Sequence, residues 1–256
     1  MSAPLAPVAI FGIPRSGTTW LGQLLNAHPA VLYRYQPLFS YEFKDYLSAT
    51  FSAEDLENFH SELVNAKSDF TCPKHTFTKE NPSVLLYKNV RYHHLAKRML
   101  EMSNIKIIFI SRDPLSVINS WYNAPREFYP EWSIDDEWEF APSKNQGRLE
   151  EFFGFDGWRR AELMHRENAN LFGERVKIIS YEALTQETTH YIKELVEWLG
   201  LEYRHQITHF IEASAKREAK NTYSVYKKPA PFTLPSNIKE KIIESTKALE
   251  NVPYYR

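Results

Sequence analysis

A short apolar run leads into two spaced glycines near the start of the sequence, and few folds accommodate this arrangement. Residues 8–11 are apolar and end on Gly12, and Gly17 follows within a short loop. Residues 18–26 then carry apolar side chains at the spacing of one helical face. A strand that enters a helix through such a loop directs backbone N–H groups and the helix N-terminus at an anion. The segment therefore predicts a phosphate-binding loop between a strand and a helix.

The rest of the chain alternates short apolar runs with helical periodicity. Further strands are predicted at 31–35, 84–90, 105–111 and 176–180, and helices at 37–47, 53–67, 92–102, 114–122, 148–172, 189–199, 205–215 and 238–249. Strands that alternate with helices form parallel β-α-β units. We predict one α/β domain over residues 1–256, with a P-loop-type parallel sheet of about five strands and helices on both faces. Its core would span 8–201, with C-terminal helices and a basic loop at 202–256.

Composition excludes several classes of protein. The 31 basic and 32 acidic residues leave a net charge of −1, so no global positive field favours a nucleic-acid partner. A lone cysteine, Cys72, cannot form an intrachain disulfide or a multi-cysteine zinc site, which fits a reducing compartment. No apolar run approaches the roughly 18 residues of a membrane span, and residues 1–7 do not resemble a signal peptide. We expect a cytoplasmic protein without a membrane span, and the sequence does not indicate its oligomeric state.

The glycine loop differs from that of nucleotide hydrolases. The standard pattern places a lysine after the second glycine to reach the outer phosphates, followed by a hydroxyl that holds magnesium. Thr18 occupies the position of this lysine, and the cation lies inside the loop at Arg15. The loop can hold a phosphate-like group but lacks the usual device for a γ-phosphate and its metal, so we expect no metal site.

A second basic position follows the predicted strand 105–111. Arg112 comes directly after this strand, and Ser120 lies eight residues later, about two turns into the helix that Asp113 and Pro114 begin. Ligands of open α/β sheets bind beyond the carboxyl ends of the strands, so Arg112 and the glycine loop should face one crevice. An arginine fork and a hydroxyl suit a phosphate. Alternatively, Arg112 pairs with Asp113 or caps a helix.

Together these segments resemble the sulfotransferases that use 3′-phosphoadenosine 5′-phosphosulfate (PAPS). PRSGTTWL at 14–21 is similar to the family's 5′-phosphosulfate loop, and SRDPLSVINSWY at 111–122 to its 3′-phosphate motif. The stretches 21–38, 87–91, 180–184 and 196–201 resemble the carbohydrate sulfotransferases more than the cytosolic branch. The resemblance implies PAPS as co-substrate and its desulfated product PAP. It implies cofactor contacts from Pro14, Arg15, Ser16, Gly17, Thr18, Thr19, Trp20, Arg112 and Ser120.

The sequence departs from the family where a general base is expected. The carbohydrate branch commonly has a glutamate where this chain has Gln36, and the cytosolic branch has a histidine where it has Val90. An amide cannot accept the proton of a hydroxyl. The candidate replacement bases are Glu42, Asp45, His75, His93 and His94, of which Glu42 and His93 are predicted to be catalytic. Lys88, at the family's strand-three lysine, is expected to stabilise charge on the bridging oxygen, and Gln36 and Arg91 to contact the acceptor.

The predicted function is sulfuryl transfer from PAPS to a hydroxyl of a glycan, lipid or small metabolite. Two alternatives remain open at this point: a P-loop nucleotide-dependent kinase, and a non-catalytic nucleotide-binding module. The acidic, aromatic segment 123–146 has no periodicity and is long for a loop, so it is interpreted as a lid or acceptor loop. Lys227 and Lys228 in the basic tail are candidates to close over the nucleotide.

Overall fold

Five parallel strands form one sheet at the centre of the molecule. The computed structural model describes residues 4–72, 78–216 and 231–249. The strands are β1 (Ala6–Phe11), β2 (Val31–Tyr35), β3 (Val84–Asn89), β4 (Lys106–Ser111) and β5 (Val176–Ser180), in the order β2-β3-β1-β4-β5. All four neighbouring pairs are parallel. The predicted α/β class and parallel five-stranded sheet are confirmed.

The helices follow the predicted alternation. They are α1 (Thr18–Asn26), α2 (Ala53–Val64), α3 (Ala96–Met102), α4 (Pro114–Tyr122), α5 (Ile134–Glu137), α6 (Pro142–Asn145), α7 (Gly154–Phe172), α8 (Tyr181–Gln186), α9 (Thr188–Trp198), α10 (His205–Lys216) and α11 (Ser236–Leu249). Single 3-10 turns occupy Pro37–Phe39, His93–Leu95 and Gly173–Arg175. None of the helices within the described ranges is both long and apolar enough to cross a lipid bilayer.

Side chains alternate across the sheet and bury both of its faces, as expected for parallel strands. On one face, Ile10, Leu86 and Ile108 pack against α1, α8, α9 and α10. On the other face, Phe11, Tyr87 and Phe109 pack against α2 and α3 and the end of α7. Helices therefore cover both faces, as predicted, and the carboxyl ends of the strands remain available for a site.

A third apolar cluster organises the 123–146 segment. Phe128, Ile134 and Trp138 are buried with residues of α4, α7 and α11. Trp121 of α4 meets Phe128 edge-on, with ring centroids 5.1 Å apart. The segment contains the short helices α5 and α6 and is held by its own aromatic side chains.

Several local predictions differ from the structure. The segment 37–47 is not an α-helix, because Ser40 is extended after the 3-10 turn and Asp45 has a φ of 61°. Residues 148–153 lie outside α7, because the Asn145 side chain holds Phe153 in an extended conformation through hydrogen bonds of 3.1 Å and 3.0 Å. Helix α8 was missed, although Ser180 caps it by accepting a hydrogen bond from Ala183 N at 3.3 Å.

Candidate functional site

The glycine loop lies in the middle of the sheet, after β1 and between the ends of β3 and β4. Ser16 closes the turn, since its amide and its hydroxyl both donate to Ile13 O, at 3.2 Å and 2.7 Å. Arg15 and Gly17 have φ values of 72° and 95°. A Cβ on Gly17 would lie 2.6 Å from Cε2 of Tyr181, so both the backbone angle and the space require glycine. Gly17 offers no side-chain cap to α1, which leaves the first N–H groups of that helix for an external anion.

The two basic positions predicted from sequence meet beside this loop. Arg112 Nη1 donates to Arg15 O at 2.7 Å, and Arg15 Nε donates to Ser120 Oγ at 3.1 Å. The Asp113 carboxylate caps α4 by accepting from Ser116 N at 2.8 Å. The structure thus joins Arg15, Arg112 and Ser120, which are separated by up to 105 residues of sequence.

Arg112 has hydrogen-bonding capacity that the described residues do not satisfy. Its guanidinium carbon lies 4.4 Å from the centroid of the Tyr181 ring. Its Nε is buried and has no hydrogen-bond partner among the described residues. Burial lowers the pKa of this guanidinium, although an arginine remains protonated at physiological pH. A buried, charged donor beside an open helix N-terminus fits an anionic group such as a phosphate.

The remaining residues predicted for the cofactor line the same loop and the first turn of α1. Pro14, Ser16 and Thr18 are buried, and Thr19 is half-buried. Trp20 is buried and meets the Tyr181 ring edge-on, with ring centroids 6.3 Å apart. Tyr181 thus contacts the loop at Gly17, the guanidinium of Arg112 and the Trp20 ring. The sequence reasoning did not select it, although it lies in the SYEAL stretch.

Lys88 is the penultimate residue of β3 and points toward the loop from the side of α1. Its Nζ lies 3.4 Å from Thr18 Oγ1 and 4.4 Å from the centroid of the Tyr35 ring. The side chain is only 2% exposed. Burial lowers the pKa of Lys88 to about 7, the Glu127 charge raises it, and the Arg91 charge lowers it further. Lys88 is therefore a buried amine that is close to its titration point at neutral pH.

An aromatic surface flanks Lys88 on the side of β2. Tyr35 and Phe70 meet edge-on with centroids 5.3 Å apart, and Phe39 lies 6.2 Å from Phe70. The guanidinium carbon of Arg91 lies 3.9 Å from the centroid of the Phe39 ring, and its Nε donates to Glu151 Oε1 at 2.7 Å. We call Tyr35, Phe39 and Phe70 the aromatic wall. Phe39 and Phe70 are 49% and 43% exposed, so the wall presents ring surface to solvent.

Gln36, predicted to contact the acceptor, connects this wall to β2. It is half-buried, directly follows the strand, and adopts a left-handed φ of 41° before the 3-10 turn. The backbone between Tyr35 and Phe39 therefore turns sharply at Gln36.

The environments of Glu42 and His93 argue against the catalytic roles predicted for them. Glu42 is exposed and accepts a hydrogen bond of 3.5 Å from Lys67 N. The Glu42 charge acts on Arg34. The Arg34 guanidinium donates hydrogen bonds to carbonyl groups at the end of α2, so Arg34 lies on the sheet face opposite Lys88. His93 is buried against Phe152 with ring centroids 4.5 Å apart.

The three histidines and Asp45 complete the set of predicted bases. His93 Nδ1 shares a 2.9 Å hydrogen bond with His165 Nε2, and burial lowers the pKa of His93 to about 3. Burial also lowers the pKa of His94. Asp45 is exposed on the turn that ends the 37–47 segment. His75, Lys227 and Lys228 lie outside the described residues.

Glu127 is a site residue that the sequence reasoning missed. It belongs to the 123–146 segment, and its Oε2 lies 3.8 Å from Arg15 Nη1. Burial lowers the pKa of both Lys88 and Lys144, and the Glu127 charge opposes this lowering in each case. No motif marks this glutamate, because its proximity to the glycine loop arises from tertiary packing of the segment.

Comparisons with known proteins agree with this fold. The family model described as "Sulfotransferase domain" matches residues 5–245. The chain is similar in structure to a mouse sulfotransferase, SULT7A1, complexed with PAP, at 15% identity and a TM-score of 0.60, covering 98% of this chain and 87% of the other. Retinol dehydratase in complex with retinol and PAP gives 16% identity and a TM-score of 0.57, covering 99% and 84%.

A bacterial structure extends this likeness. A sulfotransferase from Alicyclobacillus acidocaldarius gives 17% identity and a TM-score of 0.54, covering 84% of this chain and 92% of the other. At these identities the likeness concerns the fold. No curated protein sequence matches the chain at a significant level.

Proposed function

The chain belongs to the sulfotransferase domain family, and we propose that it transfers the sulfuryl group of PAPS to an acceptor hydroxyl. The observation that carries this proposal is the junction of Arg15, Arg112 and Ser120 beside a helix N-terminus. A nucleotide with phosphate groups at both its 5′ and 3′ positions needs two anion sites in one crevice. The glycine loop supplies one of them, and Arg112 with Ser120 supplies the other.

Each anion site has its own donors. The backbone N–H groups at the start of α1, with Arg15, Ser16, Thr18 and Thr19, would hold the 5′-phosphosulfate. Arg112 and Ser120 would hold the 3′-phosphate, the group by which PAPS differs from ATP. The buried, unpartnered Nε of Arg112 supports this assignment, since a buried donor gains most from an anionic partner.

Lys88 would stabilise the leaving group. When bound, PAPS supplies an activated sulfuryl group whose transfer leaves negative charge on the bridging oxygen. A dianion beside Lys88 raises the pKa of this amine from about 7 and keeps it protonated. A buried ammonium group acts strongly on developing charge, because little solvent screens it.

The aromatic wall supports the proposed acceptor classes. Exposed ring surface at Phe39 and Phe70, beside the Arg91–Glu151 ion pair, favours a hydroxyl compound with a flat or apolar face. A sugar ring, a lipid and an aromatic metabolite all satisfy this requirement, so glycans, lipids and small metabolites remain the proposed acceptor classes. Retinol dehydratase, a structural relative, has been crystallised with retinol and with androsterone.

Calorimetric titration with PAP and, separately, with ATP and magnesium tests the proposal at fixed ionic strength. We expect PAP to bind at micromolar concentration and ATP to bind at least tenfold more weakly, because ATP carries nothing for Arg112 and Ser120 to hold. ATP binding without a preference for PAP would refute the proposal and favour the kinase alternative. PAP binding without release of PAP from PAPS, with any acceptor or with water, would favour a non-catalytic nucleotide-binding module.

A further inference from the structure

We propose that Glu127 is the general base that removes the proton from the acceptor hydroxyl. The inference rests on the proposed sulfotransferase function and adds to it the group that the family patterns fail to supply, since Gln36 and Val90 cannot act as bases. Glu127 comes from the 123–146 segment, a part of the chain that the family motifs at 14–21 and 111–122 do not include.

The position of Glu127 relative to Arg15, predicted to bind the cofactor, and Lys88, predicted to be catalytic, carries the proposal. Its Oε2 lies 3.8 Å from Arg15 Nη1, at the tip of the loop proposed to hold the phosphosulfate. Its charge also acts on Lys88, which approaches the loop from β3. Because the Glu127 carboxylate interacts with both Arg15 and Lys88, we place it beside the point where the sulfuryl group would be transferred.

The backbone of Glu127 is anchored by hydrogen bonds, whereas its carboxylate Oε2 is near Arg15 but forms no hydrogen bond within the described part of the chain. Trp121 Nε1 donates to Glu127 O at 3.0 Å, and Glu127 N donates to Ala124 O at 2.8 Å. The next residue, Phe128, is buried in the third apolar cluster. In contrast, Glu127 Oε2 is shielded from solvent and has no hydrogen-bond partner within the described part of the chain. The Glu127 side chain as a whole is 35% exposed, so an acceptor hydroxyl can approach it, and a carboxylate accepts a hydrogen bond from a hydroxyl.

Other acids near the site are less suitable. Glu151 Oε1 accepts a hydrogen bond from Arg91 Nε at 2.7 Å, and this ion pair holds the carboxylate against Arg91. Glu42 lies near Arg34 on the opposite sheet face. Neither of these charges acts on Lys88, whereas that of Glu127 does.

The chemical step balances without a further reactant. Glu127 takes the proton of the acceptor hydroxyl as the acceptor oxygen forms a bond to the sulfur of PAPS. The bond between this sulfur and the bridging oxygen breaks, and its electron pair remains on the 5′-phosphate of PAP, beside Lys88. The products are a sulfate ester, PAP and protonated Glu127, which then loses its proton to solvent.

The test compares Glu127→Gln, Glu127→Asp and Glu131→Gln in the 256-residue chain. Glu131 is an exposed glutamate of the same segment and serves as the matched control. PAP affinity is measured by calorimetry, and PAP release from PAPS is measured with water, 2-phenylethanol and 4-nitrophenol as acceptors. 4-Nitrophenol loses its proton unaided near neutral pH and therefore needs no base.

We expect Glu127→Gln to lower PAP release with water and 2-phenylethanol by a factor of about 100 or more, the usual contribution of general base catalysis. The loss should be at least tenfold smaller with 4-nitrophenol, and Glu127→Asp should retain part of the activity. PAP affinity should stay within about threefold of the wild type or increase, because a negative charge beside Arg15 is removed. Glu131→Gln should match the wild type.

Two results would overturn the inference while leaving the proposed function standing. One is a Glu127→Gln variant whose rates stay within threefold of the wild type with every acceptor. The other is a loss of PAP affinity that equals the loss of rate, which would make Glu127 a structural support of the glycine loop. A wild-type protein that binds no PAP, or releases none from PAPS even to water, would instead refute the proposed function itself.

Discussion

Replacing Arg112 with alanine should separate binding of the 3′-phosphate from binding of the rest of the nucleotide. Arg112 uses Nη1 on the Arg15 carbonyl, and its buried Nε lacks a hydrogen-bond partner among the described residues. Two charge-assisted hydrogen bonds from Nε and Nη2 to a phosphate would contribute about 1.5 kcal/mol each at the lower end of the usual range. Their loss amounts to about 3 kcal/mol, or a factor of about 150 in the Kd of PAP.

Adenosine monophosphate provides the matching measurement, because it lacks the 3′-phosphate but uses the same glycine loop. Arg112→Ala also removes the hydrogen bond to Arg15 O, and any resulting distortion of the loop affects both nucleotides equally. The ratio of the two Kd changes therefore isolates the 3′-phosphate contribution. Calorimetry at fixed salt should give an increase of about 150-fold for PAP and less than threefold for adenosine monophosphate.

Arg204→Ala is the control for this experiment. Arg204 forms an exposed ion pair of 3.1 Å with Glu202, and exposed pairs of this kind contribute little to stability. Its removal should change neither affinity. Equal losses for PAP and adenosine monophosphate in Arg112→Ala would show that Arg112 only supports the loop, and the proposed 3′-phosphate site would be wrong.

Three further changes test the site and the fold. Gly17→Ala should abolish PAP binding in calorimetry and lower the free energy of unfolding by about 1–3 kcal/mol, because φ at this position is 95° and the new Cβ would collide with Tyr181. Retained PAP affinity would contradict the loop geometry. Lys88→Met should lower PAP release about 100-fold or more yet stabilise the nucleotide-free protein, since burial lowers the folded-state pKa of Lys88 to about 7 and the unfolded chain binds the proton more tightly. This stabilisation should be greatest below pH 7 and fade as the pH rises toward the unfolded pKa of about 10, and urea unfolding at pH 6 and 9 that gives equal differences would refute it. Ser52→Ala removes the hydroxyl that accepts from Asp55 N and should cost about 1 kcal/mol of stability with PAP affinity unchanged, as thermal unfolding and calorimetry would report.

Local sequence determined the parts of the fold that were predicted well. Strands β2 and β5 and helices α1 and α4 begin and end where periodicity and caps indicated, because each signal lies within a few residues of the element. The Asp113 cap and the Pro114 start of α4 are examples. The predicted start of the helix at 148 was wrong because a side chain outside the helix, that of Asn145, holds Phe153 extended, so α7 begins only at Gly154.

The nucleotide half and the acceptor half of the candidate site also differ in how well the sequence predicts them. The residues proposed for the nucleotide lie in two continuous segments, 14–20 and 112–120, and parallel strands bring the ends of β1 and β4 together whatever the rest of the chain does. A sequence pattern can therefore identify them. The residues proposed for the acceptor include Tyr35 at the end of β2 and Phe70 and Arg91 from two separate loops, whose positions depend on aromatic packing.

Glu127 shows why the acceptor half cannot be predicted from a motif. Its carboxylate reaches Arg15 because Trp121 and Phe128 fix the segment on α4, and no spacing rule links a glutamate at 127 to an arginine at 15. A general base needs only a carboxylate within reach of the acceptor oxygen, so any loop that ends at this edge of the sheet can supply it. A glutamine in place of a base at position 36 is then compatible with catalysis, provided that the packing of the 123–146 segment holds Glu127 against the glycine loop.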